Sequence, residues 1–290
     1  MSGVAPSAGP VLLIGGSGML GRAWTRLLDE RGVEFAAPSH NELDITRPAL
    51  IERQVTARFA VVVNCAAWSD VDGAEQHEAQ AMIVNAAMVG LLAERCRTVN
   101  ATLIHYSTDY VFNGEADSPY RIDQRRDPVN AYGRTKAEGE RIIEQSGCRF
   151  LLVRSSWLYA PWGRNFVRTI ARLARERDSL KVVNDQRGRP TSGEHLARTT
   201  LALIERSVTG IYHVTDGGEC TWYDLACRVA AHVNPGCRIE PCTTDEFPRP
   251  AKRPRYSVLD LHYIEALVGP MPHWELNLAD VLARLEPDDE

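Results

Sequence analysis

The sequence predicts an α/β protein with a doubly wound, parallel Rossmann-type sheet and a smaller C-terminal substrate-binding lobe. Short, continuously apolar segments alternate with helical patterns through the first 155 residues, which is typical of parallel strands covered by helices on both faces. A glycine-rich loop directly follows the first of these strands. After residue 155 the alternation becomes less regular, which indicates a second lobe.

The elements of the first lobe follow from apolar runs and their boundaries. Val11-Leu12-Leu13-Ile14 predicts a buried strand ended by glycines, and Gly32 ends the helix that follows. Thr46 and Pro48 mark the start of the next helix. The predicted strands are 11–14, 34–37, 60–63, 102–106 and 150–153, and the predicted helices are 19–31, 49–56, 72–99 with a break near Asn85, and 131–146.

The second half of the chain is predicted to interleave the two lobes. Its predicted helices are 165–177, 193–207 and 222–232, its strands are 181–183 and 211–214, and Pro and Gly cluster between 233 and 257. We assign residues 1–155, with later elements from about 192 to 232, to a dinucleotide-binding domain. Residues 156–191 and 233–290 are then the nucleotide-sugar-binding lobe.

Composition excludes several classes of function. The net charge is −5 with both signs interspersed, so nucleic acid is not an expected partner. Seven cysteines without a CxxC pair predict a reduced, cytoplasmic protein. The first ten residues lack the pattern of a signal peptide, and no apolar run approaches the ~20 residues that cross a bilayer. The eight histidines form no ligand spacing, so no metal site is predicted.

The loop Gly15-Gly16-Ser17-Gly18-Met19-Leu20-Gly21 lies between the first strand and the first helix. It fits either GxGxxG or GxxGxxG, and both predict a site for a dinucleotide. Glycine permits the tight turn and the close approach of backbone to a pyrophosphate. The free N–H groups of the helix N-terminus would face that anion.

The end of the second strand predicts the type of dinucleotide. An NAD site usually has Asp or Glu there, whereas this chain has Ala37-Pro38-Ser39-His40. Ser39 and a protonated His40 could bind a 2′-phosphate, so NADPH is predicted, with NADH possible. Asp44 is interpreted as an adenine contact, with a turn-capping surface carboxylate as the alternative reading.

Tyr132 and Lys136 are four residues apart in a predicted helix and therefore share one of its faces. An ammonium near a phenol favours the phenolate and lowers the pKa of the phenol. The pair is thus suited to giving a proton to a carbonyl oxygen. Thr108 follows a buried strand, at the sheet edge where ligands of α/β proteins bind, and brings a hydroxyl there.

These motifs resemble the dTDP-4-dehydrorhamnose reductase family within the extended short-chain dehydrogenase/reductase superfamily. The resemblance spans nearly the whole chain. It is carried by the glycine loop, Leu43-Asp44-Ile45-Thr46, Val63-Asn64-Cys65-Ala66-Ala67-Trp68, Tyr106-Ser107-Thr108-Asp109-Tyr110-Val111-Phe112, Asn130-Ala131-Tyr132-Gly133-Arg134-Thr135-Lys136, Arg154-Ser155-Ser156-Trp157-Leu158-Tyr159, Asn184-Asp185-Gln186-Arg187-Gly188-Arg189-Pro190-Thr191 and Gly210-Ile211-Tyr212-His213-Val214.

The resemblance implies the reduction of the 4-keto group of a dTDP-4-dehydro-6-deoxy sugar, dTDP-4-dehydro-β-L-rhamnose first, in an enzyme that can form a homodimer. It implies Tyr132 as proton donor, with Lys136 and Thr108 as the other catalytic residues. The expected cofactor residues are Gly15, Gly18, Met19, Leu20, Gly21, Ser39, His40, Asp44, Ile45, Ala66, Ala67, Trp68, Tyr106, Tyr132 and Lys136. The expected substrate residues are Thr108, Asp109, Tyr110, Trp157 and Arg253, the last of these for the diphosphate.

Some positions depart from the family pattern, and other functions stay open. His40 stands where many relatives carry Arg, and Trp68 is bulkier than expected. A dehydratase would need an acidic pair after Thr108, but Asp109 is followed by Tyr110. The remaining alternatives are a dTDP-4-keto sugar reductase of an antibiotic deoxysugar or streptose-type pathway, an epimerase, and a non-catalytic dinucleotide-binding regulatory subunit.

Overall fold

The structure is a computed structural model that describes residues 9–286. The sequence-based expectations for the chain's first eight and last four residues lie outside this part. Six parallel strands form the central sheet: β1 (Val11–Ile14), β2 (Phe35–Ala36), β3 (Val61–Asn64), β4 (Thr102–Thr108), β5 (Phe150–Ser155) and β10 (Gly210–His213). Their spatial order is β10-β5-β4-β3-β1-β2, so the chain reverses direction across the sheet beside β1. This confirms the doubly wound prediction and places a ligand crevice at the carboxyl ends of the strands near the reversal.

Helices cover both faces of the sheet. One apolar core joins the sheet to α1 (Met19–Arg31) and α8 (Gly193–Glu205). The core on the other face joins it to α2 (Pro48–Gln54), α5 (Met88–Thr98) and α6 (Ala131–Gln145). Alternate residues of β1 enter the two cores: Leu13 enters the first and Leu12 the second. This two-sided burial explains why the strand reads as a continuous apolar run.

The helical stretch predicted over 72–99 is interrupted near Asn85, as expected. It consists of α3 (Val71–Gln76), α4 (Glu78–Met82), a π-helix (Ile83–Ala87) and α5. Asn85 is buried in the π-helix, and its amide bonds both the N–H and the carbonyl of Trp68 and the hydroxyl of Thr135. A π-helical segment often occurs at a functional site. Here its Asn85 links the segment after β3 to α6 through these hydrogen bonds.

The smaller lobe has a core of its own. It packs α7 (Phe166–Glu176), α9 (Trp222–Val233) and α11 (Trp274–Leu282) around the parallel pair β7 (Ser179–Val183) and β12 (Arg238–Cys242). The helix α9 therefore packs with this lobe, whereas the sequence assigned residues up to 232 to the dinucleotide domain. The strand β12 was not predicted, because Pro241 and the surrounding turn residues obscure it. The rest of the two-lobe division stays a prediction.

Short elements complete the described chain. They are β6 (Leu158–Tyr159), β8 (Arg187–Gly188), β9 (Thr191–Ser192), β11 (Cys220–Thr221), a 3₁₀ turn (Asp109–Val111) and α10 (His262–Val268). Over residues 9–286, no helix is both long and apolar enough for a bilayer crossing.

Candidate active site

The glycine loop has the geometry that a dinucleotide site requires. Gly15 has a φ of 77°, a conformation that glycine adopts without strain. A side chain on Gly21 would collide with the carbonyl of Gly15, so the loop and helix pack closely only with glycine there. Gly18 is the N-cap of α1 and no side chain caps the helix. The N–H groups of Met19 and Leu20 in its first turn are suited to an anion such as a pyrophosphate.

In the segment after β2, Ser39 is bound by the carboxylate of Glu42, which the sequence analysis did not consider. Glu42 Oε2 accepts bonds from both the N–H and the hydroxyl of Ser39, each at 2.8 Å. These two bonds, the backbone one first, hold the pKa of Glu42 below its usual value. Ser39 therefore has to release Glu42 before it can donate to a 2′-phosphate.

His40 and Asp44, the other two polar side chains of this segment with a predicted cofactor role, face each other. His40 Nε2 lies 3.8 Å from Asp44 Oδ2, and the His40 side chain is exposed. Asp44 Oδ1 accepts from the N–H and hydroxyl of Thr46, which is the turn-capping arrangement weighed in the sequence analysis. Ile45 is buried in the core between the sheet and α2. The roles of these residues toward a cofactor stay predictions.

The end of β3 forms a wall next to α6. The N–H of Ala66 donates to Asn64 Oδ1 at 3.1 Å, and Ala67 is exposed. The Trp68 indole donates to the carbonyl of Asp70 and packs in one apolar cluster with Tyr132. The bulky Trp68 thus borders the face on which the predicted proton donor lies.

The end of β4 brings a hydroxyl and a buried carboxylate together. The Thr108 hydroxyl donates to Asp109 Oδ1 at 2.9 Å and accepts the N–H of Tyr110. Asp109 is only 2% exposed, and its Oδ2 has no hydrogen-bond partner among the described residues. Burial raises the pKa of Asp109 to about 6, although the bond from Thr108 opposes the shift. A buried acceptor without a partner is costly and is available to a ligand hydroxyl.

The helix α6 begins beside this strand end. Asn130 caps it by accepting the N–H of Gly133 at 2.8 Å. A side chain on Gly133 would collide with the carbonyl of Tyr110, so glycine lets α6 approach the end of β4. The rings of Tyr110 and Tyr132 meet edge to face, with centroids 5.9 Å apart. The structure thus brings Thr108, Asp109, Tyr110 and Tyr132 together.

The acidities of the predicted catalytic pair differ from the expectation. Burial and then the charge of Asp109 raise the pKa of Tyr132 to about 12, while a hydrogen bond with Thr108 lowers it. Burial lowers the pKa of Lys136 to about 8, opposed by the charge of Glu140. Lys136 Nζ donates to the carbonyl of Tyr106 at 2.7 Å and lies 3.2 Å from His105 Nε2. The expected lowering of the phenol's pKa by Lys136 is therefore wrong for this arrangement, because the amine is directed at β4.

Tyr106, another predicted cofactor residue, has its side chain on the opposite face of the sheet. Its hydroxyl accepts a bond from Trp24 Nε1 of α1 at 2.7 Å, and its ring packs in the core with α1 and α8. Its backbone carbonyl is the group that contacts Lys136. We therefore expect Tyr106 to act through its backbone, by holding Lys136.

The predicted substrate residues Trp157 and Arg253 are each held by neighbours. The Trp157 ring stacks on Trp222 at 3.6 Å, and a side chain on Gly188 would lie 2.6 Å from the Trp157 ring. Trp157 has a φ of 47°, a rare conformation for a bulky residue that often marks a functional site. Arg253 pairs with Asp72 at 3.0 Å, and its Cζ lies 6.0 Å from the Tyr110 ring centroid.

Besides Glu42, three groups around the site were missed by the sequence analysis. Asp72 also pairs with Arg249 and accepts the N–H of Ala251, so it anchors the segment that carries Arg253. His105 contacts Lys136. Asn130 could have been found, because an Asn directly before a helical pattern is a common N-cap. Among residues 9–286 no cluster of His, Cys, Asp and Glu is arranged to hold a metal ion.

A doubly wound parallel sheet, a glycine loop after β1 and a Tyr-x-x-x-Lys helix beside the strand ends define an extended short-chain dehydrogenase/reductase fold. The family model described as RmlD substrate binding domain matches residues 9–286. The chain belongs to this family.

Named relatives agree with this membership. A dTDP-4-dehydrorhamnose reductase of Streptomyces griseus is 43% identical over 93% of this chain and 91% of its own. A probable dTDP-4,6-dihydroxy-2-methyloxan-3-one 4-ketoreductase of Streptomyces antibioticus is 44% identical over 86% of this chain and 85% of its own. The crystal structure of a Bacillus anthracis dTDP-4-dehydrorhamnose reductase in complex with NADP has a TM-score of 0.91 at 33% identity, and covers 95% of this chain and 99% of that one.

Proposed function

We propose that this protein reduces the 4-keto group of a dTDP-4-dehydro-6-deoxy sugar, with dTDP-4-dehydro-β-L-rhamnose to dTDP-L-rhamnose as the first candidate reaction. The observation that carries the proposal is the group formed by the buried Thr108 and Asp109 at the carboxyl end of β4 and the half-buried Tyr132 of α6. Tyr132 is the proposed proton donor, and the carbonyl oxygen of the sugar is the proposed acceptor. The names of relatives at 43% and 44% identity support this substrate class.

The proposed cofactor is NADPH, with NADH possible. A bound NADPH supplies hydride, and the first turn of α1 with Gly15 and Gly18 would hold its pyrophosphate. The NADP complex of the Bacillus anthracis relative supports the choice. Ser39 and His40 would contact the 2′-phosphate, in competition with Glu42.

Each catalytic side chain has a distinct proposed role. Tyr132 gives its proton to the developing alkoxide, a step that positioned general acids accelerate by about 10²–10⁴-fold. The Thr108 hydroxyl would turn its single proton from Asp109 to the reacting oxygen, and its remaining lone pair can accept from the phenol. Lys136, whose amine is directed at β4, would hold the nicotinamide end of the cofactor. Asp109, through its unpartnered oxygen, and Trp157 hold the sugar.

A cavity beside the loop after β4 is the proposed site for the nucleotide end of the substrate. A polar cavity of about 610 Å³ is lined by residues that include Asn184, Arg187, Arg255 and Tyr256. The N–H of Tyr256 donates to the carbonyl of Gly114, which joins the cavity wall to the loop after β4. We propose that this cavity receives the nucleoside, with Arg253 at the diphosphate.

A second candidate is a 4-ketoreductase of an antibiotic deoxysugar or streptose-type pathway. The Streptomyces antibioticus relative favours it. The bulky Trp68, which packs against the same alanine cluster as Tyr132, is consistent with a differently shaped sugar pocket. The reaction chemistry is the same for both candidates, so only the sugar distinguishes them.

The deciding experiment measures NADPH oxidation with a panel of dTDP-4-keto sugars and their UDP counterparts. The proposal predicts turnover with dTDP-4-keto-6-deoxy sugars, and the sugar with the highest kcat/KM selects between the two candidates. Binding of NADPH without turnover of any sugar would contradict the proposal and favour a regulatory subunit. We further propose a cytoplasmic homodimer, which sedimentation of the purified protein and fractionation of cells would test.

A further inference from the structure

Lys136 is held on its β4 side by a buried histidine. Lys136 is 2% exposed and His105 is 1% exposed. Lys136 Nζ lies 3.2 Å from His105 Nε2, and its bond to the Tyr106 carbonyl fixes the amine above β4. A buried amine with so little access to water depends on these two partners for its orientation.

The second ring nitrogen of His105 is also engaged. His105 and Asn64 are paired in register on β4 and β3, and Asn64 Nδ2 lies 3.1 Å from His105 Nδ1. Asn64 Oδ1 accepts the N–H of Ala66. Because that N–H can only donate, it requires the amide oxygen, and the amide nitrogen must then donate to His105 Nδ1.

This chain of bonds allows only one set of proton positions for each charge of Lys136. With Asn64 donating to Nδ1, neutral His105 carries its proton on Nε2, and that proton needs the lone pair of an uncharged Lys136. An ammonium instead needs a bare Nε2, so the proton moves to Nδ1. The amide of Asn64 must then turn, and the N–H of Ala66 loses its acceptor.

We propose that His105, held by Asn64, is a positioning residue that couples the charge of Lys136 to the Ala66 segment beside the cofactor site. Glu140, one turn further along α6, favours the ammonium, and Tyr132 lies one turn before Lys136 on the same helix. The strand neighbour of His105 on β5 is the apolar Leu152. His105 is therefore the group through which β4 and β3 respond to the charge of Lys136.

Nitrogen NMR of the full-length protein with ¹⁵N-labelled histidine tests the proposal, because the two ring nitrogens report the tautomer directly. The His105 signals are identified by their loss in His105→Gln. We expect the wild type to change from the Nδ1-protonated form to the Nε2-protonated form as pH rises through about 8, where burial sets the pKa of Lys136. One tautomer from about pH 6 to pH 10 would overturn the proposal.

Two variants give opposite expectations. Lys136→Met removes the ammonium, so His105 should stay protonated on Nε2 at every pH. Asn64→Asp supplies one oxygen to Ala66 and another to His105 Nδ1, so His105 should stay protonated on Nδ1. A pH-dependent exchange of tautomers that persists in Lys136→Met would also overturn the proposal.

The kinetic consequence rests on the proposed function, whereas the tautomer does not. NADPH affinity, measured by fluorescence, should weaken as pH rises, and it should do so at a higher pH in Asn64→Asp than in the wild type. The reason is that the variant favours the ammonium form of Lys136. An unchanged profile would overturn the coupling to the cofactor site. If the protein shows the tautomer exchange but turns over no sugar, the positioning role of His105 is supported and only the proposed reaction is contradicted.

Discussion

The Thr108 hydroxyl donates to the Asp109 carboxylate at 2.9 Å, and the second oxygen of Asp109 is buried without a partner among the described residues. The site therefore contains an acid whose ionisation costs stability. Its pKa is raised to about 6 in the folded protein, above the ~3.9 of an unfolded chain.

Asp109→Asn should stabilise the protein above pH ~6 and weaken sugar binding. A raised folded pKa means that the penalty is fully present above that pKa and absent below the unfolded value. We expect a gain of roughly 2–3 kcal/mol at pH ~8 that disappears near pH ~4. Urea unfolding at both pH values measures it, and a loss of stability at pH ~8 would contradict this assignment.

Glu140→Gln should destabilise the protein, in contrast to Asp109→Asn. Glu140 binds Arg154 through two bonds of 2.9 and 2.7 Å, and both side chains are buried. Burial by itself raises the pKa of Glu140, but bonds from Arg154 and Arg126 hold it below its usual value. Removing one partner of such a pair costs about 3–5 kcal/mol.

The stabilisation that Glu140 provides should depend on pH. Because its folded pKa is lowered, its contribution is present above the unfolded pKa of ~4.3 and is lost as pH falls through the folded value. The difference between wild type and Glu140→Gln in urea should therefore shrink in acid. Glu144→Gln is the control, since Glu144 is partly exposed and pairs with Arg126. Equal losses in both variants would show that the burial of Glu140 is unimportant.

Gly188→Ala should raise the KM for the sugar more than it changes the KM for NADPH. The added methyl would lie 2.6 Å from the Trp157 ring, which cannot retreat because Trp222 stacks on it. We expect a roughly tenfold rise, equivalent to about 1.4 kcal/mol.

Gly193→Ala is the matched control for Gly188→Ala. Gly193 lies in α8, and its added methyl would have 3.6 Å to its nearest neighbour. A sugar KM that is unchanged in Gly188→Ala would remove Trp157 from the proposed sugar site.

Glu42→Ala should shift the cofactor preference toward NADPH. Glu42 engages both donors of Ser39 and adds a negative charge where a 2′-phosphate is proposed to bind. Its removal should lower the KM for NADPH several-fold and leave that for NADH nearly unchanged. Glu52→Ala, on α2, is the control for a general change in charge. Equal effects on the two cofactors would contradict the placement of the 2′-phosphate.

The features of the fold and the site that could be predicted are those encoded by residues close together in the sequence. The spacing of Tyr132 and Lys136 predicts a shared helix face, and the glycine loop predicts a turn between strand and helix; both are local patterns. The bond from Ser39 to Glu42 was also readable, because Ser followed three residues later by Glu is a capping signature. The direction of the Lys136 amine was not, since it depends on which side chain the neighbouring strand directs at it.

Long-range partners were beyond any local pattern. Asp72 and Arg253 meet only because the chain returns from the smaller lobe to α3. The packing of α9 in the smaller lobe, against the sequence-based assignment, has the same origin. The amphipathic pattern of α9 predicts a helix, but it does not predict which core the apolar face of that helix packs into.

Turnover by Tyr132→Phe tests the central claim most directly. Phenylalanine keeps the ring that meets Tyr110 edge to face but has no proton to give. We predict that kcat for NADPH oxidation with the best dTDP-4-keto sugar falls by about 10²–10⁴-fold. NADPH affinity and the Tyr223→Phe control in α9 should stay unchanged. A Tyr132→Phe protein that retains near-normal kcat would contradict the assignment of Tyr132 as proton donor.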